Sequence, residues 1–276
     1  MIRWLAAGAL LAGASANAEP LGFHNGRLFI AAKVNGVATE ALLDSGAEAT
    51  LVDPELAAKA KLPEGTPQVM KGSGGTAQAR IVEGVTVEAL GKELHPEAVV
   101  VLDMTDLSNR LIKRPTHAIV GRELFDAVRL EIDIARGEIA VVDKALLPRG
   151  KKLALTEHAG IESVAVRANG VAAQAEVDLG NGSEVTISRA LARKLKLKTI
   201  GTKKGGGIGG EISRDLVRLN SLEVAGARFR NLTAAIDDQD SANDLNIGTA
   251  ILKHFRITTD FADRAVWLEP VGSIGR

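Results

Sequence analysis

Ala41-Leu42-Leu43-Asp44-Ser45-Gly46-Ala47-Glu48-Ala49-Thr50-Leu51-Val52-Asp53 is the stretch whose reading decides the fold. Three apolar residues deliver one acid into a Ser-Gly-Ala turn, and a second extended stretch, Thr50–Val52, follows at once. A carboxylate at the end of a buried strand is costly unless it is hydrogen-bonded or has a task. Gly46 allows the backbone a close approach to that carboxylate, and Ser45 offers a hydroxyl beside it. Asp-Ser-Gly alone also fits an ordinary Asx or Ser turn between strands, so the flanks and the rest of the chain must decide.

Working outward, Leu28–Val34 reads as a strand, Asn35-Gly36 as a hairpin turn, and Val37–Leu43 as the return strand ending at Asp44. Asp53 and Pro54 open a short helix over Glu55–Lys61. Gly72-Ser73-Gly74-Gly75 suits a hairpin tip, followed by strands over Arg80–Val87 and Leu94–Leu102. Asp103–Pro115 is polar and loop-like. His117–Phe125 reads as an apolar strand running through Gly121 into a short helix, and Arg129–Val142 as two closing strands.

The second half repeats the first. Asn35-Gly36 matches Asn169-Gly170, and Asp44-x-Gly46 matches Asp178-x-Gly180, both offset by 134. After one inserted residue in Asn181-Gly182-Ser183 the offset is 135, as for Leu62 with Leu197 and Gly91 with Gly226. The Gly-rich tip recurs over Gly205–Gly210. Leu245-Asn246-Ile247-Gly248 answers the strand ending in Gly121, and Arg129 and Asp133 match Arg256 and Asp260, all at offset 127. Two homologous β-rich lobes are expected, over 19–147 and 148–276, joined near Asp143–Leu153. The second has the shorter connection where the first has Asp103–Pro115.

Composition narrows the function classes. The 276 residues hold 34 basic and 34 acidic side chains, so nothing favours nucleic acid or an acidic membrane surface. Cysteine is absent, which excludes disulfides, thiolate nucleophiles and Cys-based metal sites. Tyrosine is absent and aromatics make up 3%. No two of the five histidines pair at ligand spacing on a helix. Gly205–Gly210 lacks the Gly-Lys-Ser/Thr ending of a phosphate loop, and Asp237-Asp238-Gln239-Asp240 reads as a solvated loop. Arg3, the apolar run Trp4–Ala14 and Ala16-Asn17-Ala18 read as a secretory leader over 1–18, cut after Ala18. The expected location is the periplasm or outside the cell, with no membrane anchor once the leader is removed.

Leu42-Leu43-Asp44-Ser45-Gly46-Ala47, then a Gly-rich segment, then Ile119-Val120-Gly121-Arg122 resemble the ordered signatures of retroviral-type aspartic proteases. The resemblance covers nearly the whole chain after the leader. It implies a mainly β fold, with two barrel-like lobes of the acid protease type fused in one chain and an interlobe cleft. It also implies catalysis by Asp44 and Asp178 sharing one water, with one proton held between the two carboxyls. Ser45, Gly46, Gly180 and Asn181 would support the active-site loops. Gly74, Gly75, Gly207 and Gly209 would lie in flaps over an extended peptide or unfolded protein substrate. No metal or organic cofactor is required, and the two-lobed chain would act as a monomer. One departure stands out. The family pattern places Ser or Thr after each aspartate, where its hydroxyl braces the two loops, and the second lobe has Leu179. Asn181 or Ser183 are candidates to replace it. A catalytically weak or inactive peptide-binding protein on the same fold is the alternative function.

Overall fold

The computed structural model describes residues 18–158, 160–183, 185–239 and 243–272. The expected leader falls almost wholly outside them. Among the described residues no helix is long and apolar enough to cross a membrane.

Each half is built on the same hairpin. Arg27–Val34 pairs antiparallel with Val37–Leu43, and Ile161–Ala168 with Val171–Val177. Both turns are Asn-Gly with positive φ at each residue, 45° and 79° in the first and 48° and 80° in the second. This backbone twist matches the flanking strands, and Asn and Gly tolerate it best. The returning strands end at Asp44 and Asp178. In each half a parallel partner then docks beside the return strand: Ala118–Val120 against Val37–Leu43, and Leu245–Ile247 against Val171–Val177.

The first half forms a ten-stranded sheet and the second an eight-stranded one. In the second, Ile161–Ala168 also pairs with Ile212–Val224, so the sheet closes on itself. The long strands Ile212–Val224 and Ala227–Asp237 run unbroken there. The first half interrupts both equivalents. The strand expected over Arg80–Val87 is instead Gly75–Val82 and Val87–Ala89, separated around Gly84 with φ of 71°. That expected over Leu94–Leu102 is Lys92–Leu94 and Val99–Leu102, parted at Pro96, which has no N–H to give a ladder.

A third sheet takes strands from both halves. Its central pair is Leu130–Asp133 against Phe255–Asp260, antiparallel, flanked by Glu138–Val141 and Ala265–Pro270. The repeated Arg and Asp residues pair reciprocally here. Arg129 Nε lies 2.8 Å from Asp260 Oδ2, and Arg256 Nη2 lies 3.3 Å from Asp133 Oδ2. A contact of residue i with j answered by j with i is the mark of a pseudo-two-fold axis. The chain joining the halves is less loop-like than its composition suggests: Lys151–Ala154 forms an edge strand on Ala265–Pro270.

The main hydrophobic core fills the interiors of both halves, with Leu43, Val120, Phe125, Val177, Leu179 and Ile247 among its members. A second cluster occupies the opposite face of the first sheet: Phe29, Leu42, Leu51, Val100, Leu102 and Ile119, with Met104 and Ile112. Alternate residues of a strand point to opposite faces, so Leu42 and Leu43 serve different cores. The segment expected to be a polar loop over Asp103–Pro115 supplies the cover. It forms a helix, Thr105–Leu107, continued by a π-helical turn, Ser108–Ile112. Met104 and Ile112 are fully buried by it, each contributing about 1.5–3 kcal/mol by leaving water.

Candidate active site

The two aspartates are rooted identically. The Asp44 N–H donates to Val120 O at 3.0 Å, and the Asp178 N–H to Ile247 O at 3.1 Å. Each carboxylate then caps its own turn. The Gly46 N–H donates to Asp44 Oδ1 at 2.8 Å, and the Gly180 N–H to Asp178 Oδ1 at 2.9 Å. The loops meet across the lobe interface. A Cβ on Gly180 would lie 2.2 Å from Asp44 Cγ, and one on Gly46 would lie 3.1 Å from Asp178 Cγ. Any side chain at Gly180 would displace the facing acid. The two carboxyls are close enough for each to shift the other's protonation.

Their protonation is unequal. Burial raises Asp44 to about 7, helped by the charge of Asp178 and opposed by the Gly46 N–H. Burial also raises Asp178, but more donors oppose it: the Asn246 amide, the Asn181 and Gly180 N–H groups, and Asp44 itself. Asn246 Nδ2 donates to Asp178 Oδ2 at 2.6 Å, and the Asn181 N–H to Oδ1 at 3.0 Å. The denser donor set favours the charged form at Asp178, and with it the shared proton on Asp44.

The brace between the loops comes from one side. Ser45 Oγ crosses the interface, donating to Val177 O at 2.7 Å and accepting from the Leu179 N–H at 3.0 Å. Leu179 turns into the main core and is fully buried. Neither expected substitute reaches the first lobe. Asn181 Nδ2 donates to Asn246 Oδ1 at 2.7 Å, and the Ser183 N–H to Asn181 Oδ1 at 2.8 Å, so both orient the amide that serves Asp178. Thr249, fully buried, adds a second tie through a hydrogen bond to Gly26 O.

The two Gly-rich segments form hairpin tips that touch. Gly74 N–H donates to Ile208 O at 2.9 Å. A Cβ on Gly74 would fall 2.0 Å from Gly210 O, and one on Gly209 would fall 2.3 Å from the Gly75 carbonyl carbon. Gly207 lies against Ser73, its added Cβ meeting Ser73 Oγ at 2.3 Å. Ile208, together with Ala47 and Ala49 of the active-site loop and Met70, packs on the second apolar cluster. That shared cluster links tip to loop.

Sequence reading missed three residues beside the dyad. Asn246 stands where the first lobe has Ile119. Glu176 precedes Asp178 by two, so it shares its face, and Asn246 Nδ2 also donates to Glu176 Oε2 at 2.9 Å. Its signal was available: Ala-Glu-Val-Asp replaces Ala-Leu-Leu-Asp. Arg27, at the start of the first hairpin, feels the charges of Asp178 and Asp44, though burial lowers its affinity for a proton overall. It is held by Asn25 O at 3.1 Å and Leu111 O at 3.3 Å, and nothing local in the sequence marks it.

Elsewhere, Asp237 is no solvated loop residue but the end of a strand, 3.3 Å from Arg214 Nη2. Asp240 lies outside the described residues. Asp53, Glu55 and His117 bring one ligand atom each within 4.8 Å of one another. Asp53 there caps the helix Pro54–Lys59 through the Leu56 N–H and holds His117 Nδ1 at 2.6 Å, while Glu55 pairs with Lys59.

A comparison with the curated proteins gives no match. A family model described as aspartyl protease matches the chain twice, over residues 30–123 and 164–251.

Proposed function

The chain belongs to the aspartyl protease family, and from that premise we propose that it is an endopeptidase acting through one water activated between Asp44 and Asp178. The observation that carries this reading is the facing pair itself, with each turn glycine set against the opposite carboxyl. Asp178, ionised, takes a proton from the water as its oxygen attacks the peptide carbonyl carbon. Asp44 gives its proton to the carbonyl oxygen. The tetrahedral diol then collapses: Asp178 passes its proton to the departing nitrogen, the C–N bond breaks, and Asp44 regains a proton from the diol. General acid–base help of this kind is worth about 10²–10⁴-fold, and the rest comes from positioning and water exclusion. No step calls for a metal or organic cofactor. A substrate bound as an extended strand would be recognised first through its backbone, as befits an unfolded polypeptide.

Leu179 favours a second reading, a peptide-binding protein without turnover. Against it, the single Ser45 hydroxyl satisfies groups on both sides of Asp178. Digestion of a denatured protein by the purified chain, with and without Asp44→Asn, separates the two. Cleavage lost in the variant supports the enzyme. Binding without cleavage by the wild type at any pH from about 3 to about 8 supports the binder.

A further inference from the structure

Beside Asp178 lies a set of polar and charged side chains with no counterpart in the first lobe. Glu176, Arg214, Asp237 and Asn246 stand where the first lobe has Leu42, Ala79, Leu102 and Ile119, four members of its second apolar cluster. The matches follow the shared ladders: Glu176 pairs with Asn246 as Leu42 pairs with Ile119. In the first lobe this face is sealed by Met104 and Ile112 of the helical segment. The second lobe connects the same strands with a chain eight residues shorter, 238–244 against 103–117.

The charges there do not balance. Glu176 is 8% exposed, and among the described residues its carboxylate has no cationic partner, only the Asn246 amide and the Asn243 N–H. The cation on the same strand face, Arg214, is also 8% exposed and is committed elsewhere: to Asp237 at 3.3 Å and, through Nη2, to Ser73 O of the opposite tip at 3.2 Å. Among the described residues its Nε–H has no partner. A buried carboxylate lacking a counter-ion and a buried N–H lacking an acceptor are both costly. Both costs fall if a bound molecule brings a cation and a carbonyl. A polypeptide with a lysine or arginine side chain supplies the two together. Burial, with the charges of Asp178 and Asp237, raises Glu176 to about 7.

We infer that Glu176 is a specificity-determining residue that receives a lysine or arginine side chain of the substrate next to the scissile bond, on the second-lobe side of the cleft. The matching face of the first lobe, apolar and covered by Met104 and Ile112, takes no charge. This rests on reading the dyad region as a peptide site, but not on turnover.

The test uses two peptides identical except for lysine or norleucine next to the bond that is cut, chosen from mass-spectrometric mapping of a digested random peptide mixture. The expected result is enrichment of lysine and arginine on one side of the cut. Glu176→Gln, which keeps an oxygen for the Asn246 amide, lowers the lysine-to-norleucine ratio of kcat/KM by roughly 10–100-fold. Glu176→Leu, the first-lobe residue, favours norleucine. A wild-type ratio near one, or a ratio unmoved by Glu176→Gln, overturns the inference. Binding of the same pair to Asp44→Asn protein separates specificity from catalysis. A lysine preference there, abolished by adding Glu176→Gln, sustains the inference even if no peptide is ever cut and the endopeptidase reading fails. Cleavage without charge preference sinks the inference and leaves the endopeptidase standing. Neither cleavage nor preferential binding sinks both.

Discussion

Leu42 of the first lobe and Glu176 of the second occupy the same rung of the same hairpin, one strand position before the residue that precedes each aspartate. Their cross-strand neighbours differ in the same sense: Phe29 in one, Ser163 in the other. So do the next positions, Leu51 against Thr186 and Ile119 against Asn246. On the opposite face both lobes stay apolar, with Leu43 and Val177 fully packed in the main core. The duplicated backbone thus holds one face constant and lets the other diverge. Period-two alternation permits this, since a residue can change on one side of a strand without touching the packing on the other. The consequence reaches the dyad. Asp44 accepts from one N–H, whereas Asp178 accepts from Gly180, Asn181 and the Asn246 amide. Two chemically identical side chains in equivalent turns are given unequal hydrogen-bonding surroundings, and so unequal affinity for a proton.

The strongest way to break this comparison is to remove each acid in turn. Asp44→Asn and Asp178→Asn should each lower kcat by roughly 10²–10⁴-fold, read on one peptide at saturating concentration. Either variant keeping its rate within a few-fold would mean that the pair does not work as one unit. Next in size are the residues after each acid. Leu179→Ala empties a filled core position and should destabilise by about 2–5 kcal/mol. Ser45→Ala strips a carbonyl and an N–H of their shared partner and should cost about 1–3 kcal/mol. Denaturant midpoints measure both. A Ser45→Ala loss larger than that of Leu179→Ala would show that the interlobe hydroxyl outweighs the buried leucine in holding the protein together.

The unequal protonation has a pH signature. In the proposed mechanism Asp44 carries the proton, so kcat/KM should fall about tenfold per pH unit above about 7. Stability moves the same way. Between its ordinary carboxylate value and about 7, Asp44 binds a proton in the native state and not in the unfolded one, so stability is greatest at low pH and is lost as pH rises through that window. Glu176, also raised to about 7, adds a slope of the same sign. Thermal midpoints should therefore decline from about pH 4 to about pH 7, and less steeply in Asp44→Asn. A midpoint that climbs over that range would place the proton elsewhere.

Much of this was legible because it depends on local backbone demands. Asn-Gly turns, a glycine two residues after an acid and a strand ending in glycine are each required by geometry, so duplication preserved them at near-constant offsets. What was illegible depends on neighbours far along the chain. Thr105–Ile112 looks like loop because its buried anchors, Met104 and Ile112, are eight apart and the π-helical turn spoils the usual 3.6-residue spacing. Arg27 carries no local mark of its proximity to either aspartate. Asn246 sits in an otherwise apolar strand, and its role appears only when Leu245–Ile247 docks beside Val171–Val177. Glu176 was readable in principle, since an acid two residues before another on a strand must share its face.

The smallest effect sharpens the comparison at the hairpin tips, where each lobe holds the other's Gly-rich tip with an arginine. Arg110, on the helical segment of the first lobe, donates to Gly205 O at 3.2 Å and Gly207 O at 2.9 Å. Arg214, in the second, donates to Ser73 O. The two are unequally supported. Arg110 pairs with Asp106, which is largely exposed and is well hydrated without it, whereas Arg214 pairs with Asp237 inside the protein. Arg110→Ala should therefore loosen only the tip it holds, by about 1 kcal/mol, read as roughly fivefold faster hydrogen exchange at Gly205–Gly210. Arg214→Ala should loosen Gly72–Gly75 and also leave Asp237 as a partly buried charge without its partner, so its effect should spread into global stability. Equal and purely local effects from the two variants would mean that the second lobe's buried charges are solvated after all, and that its polar face differs from the first lobe's apolar one in composition but not in energy.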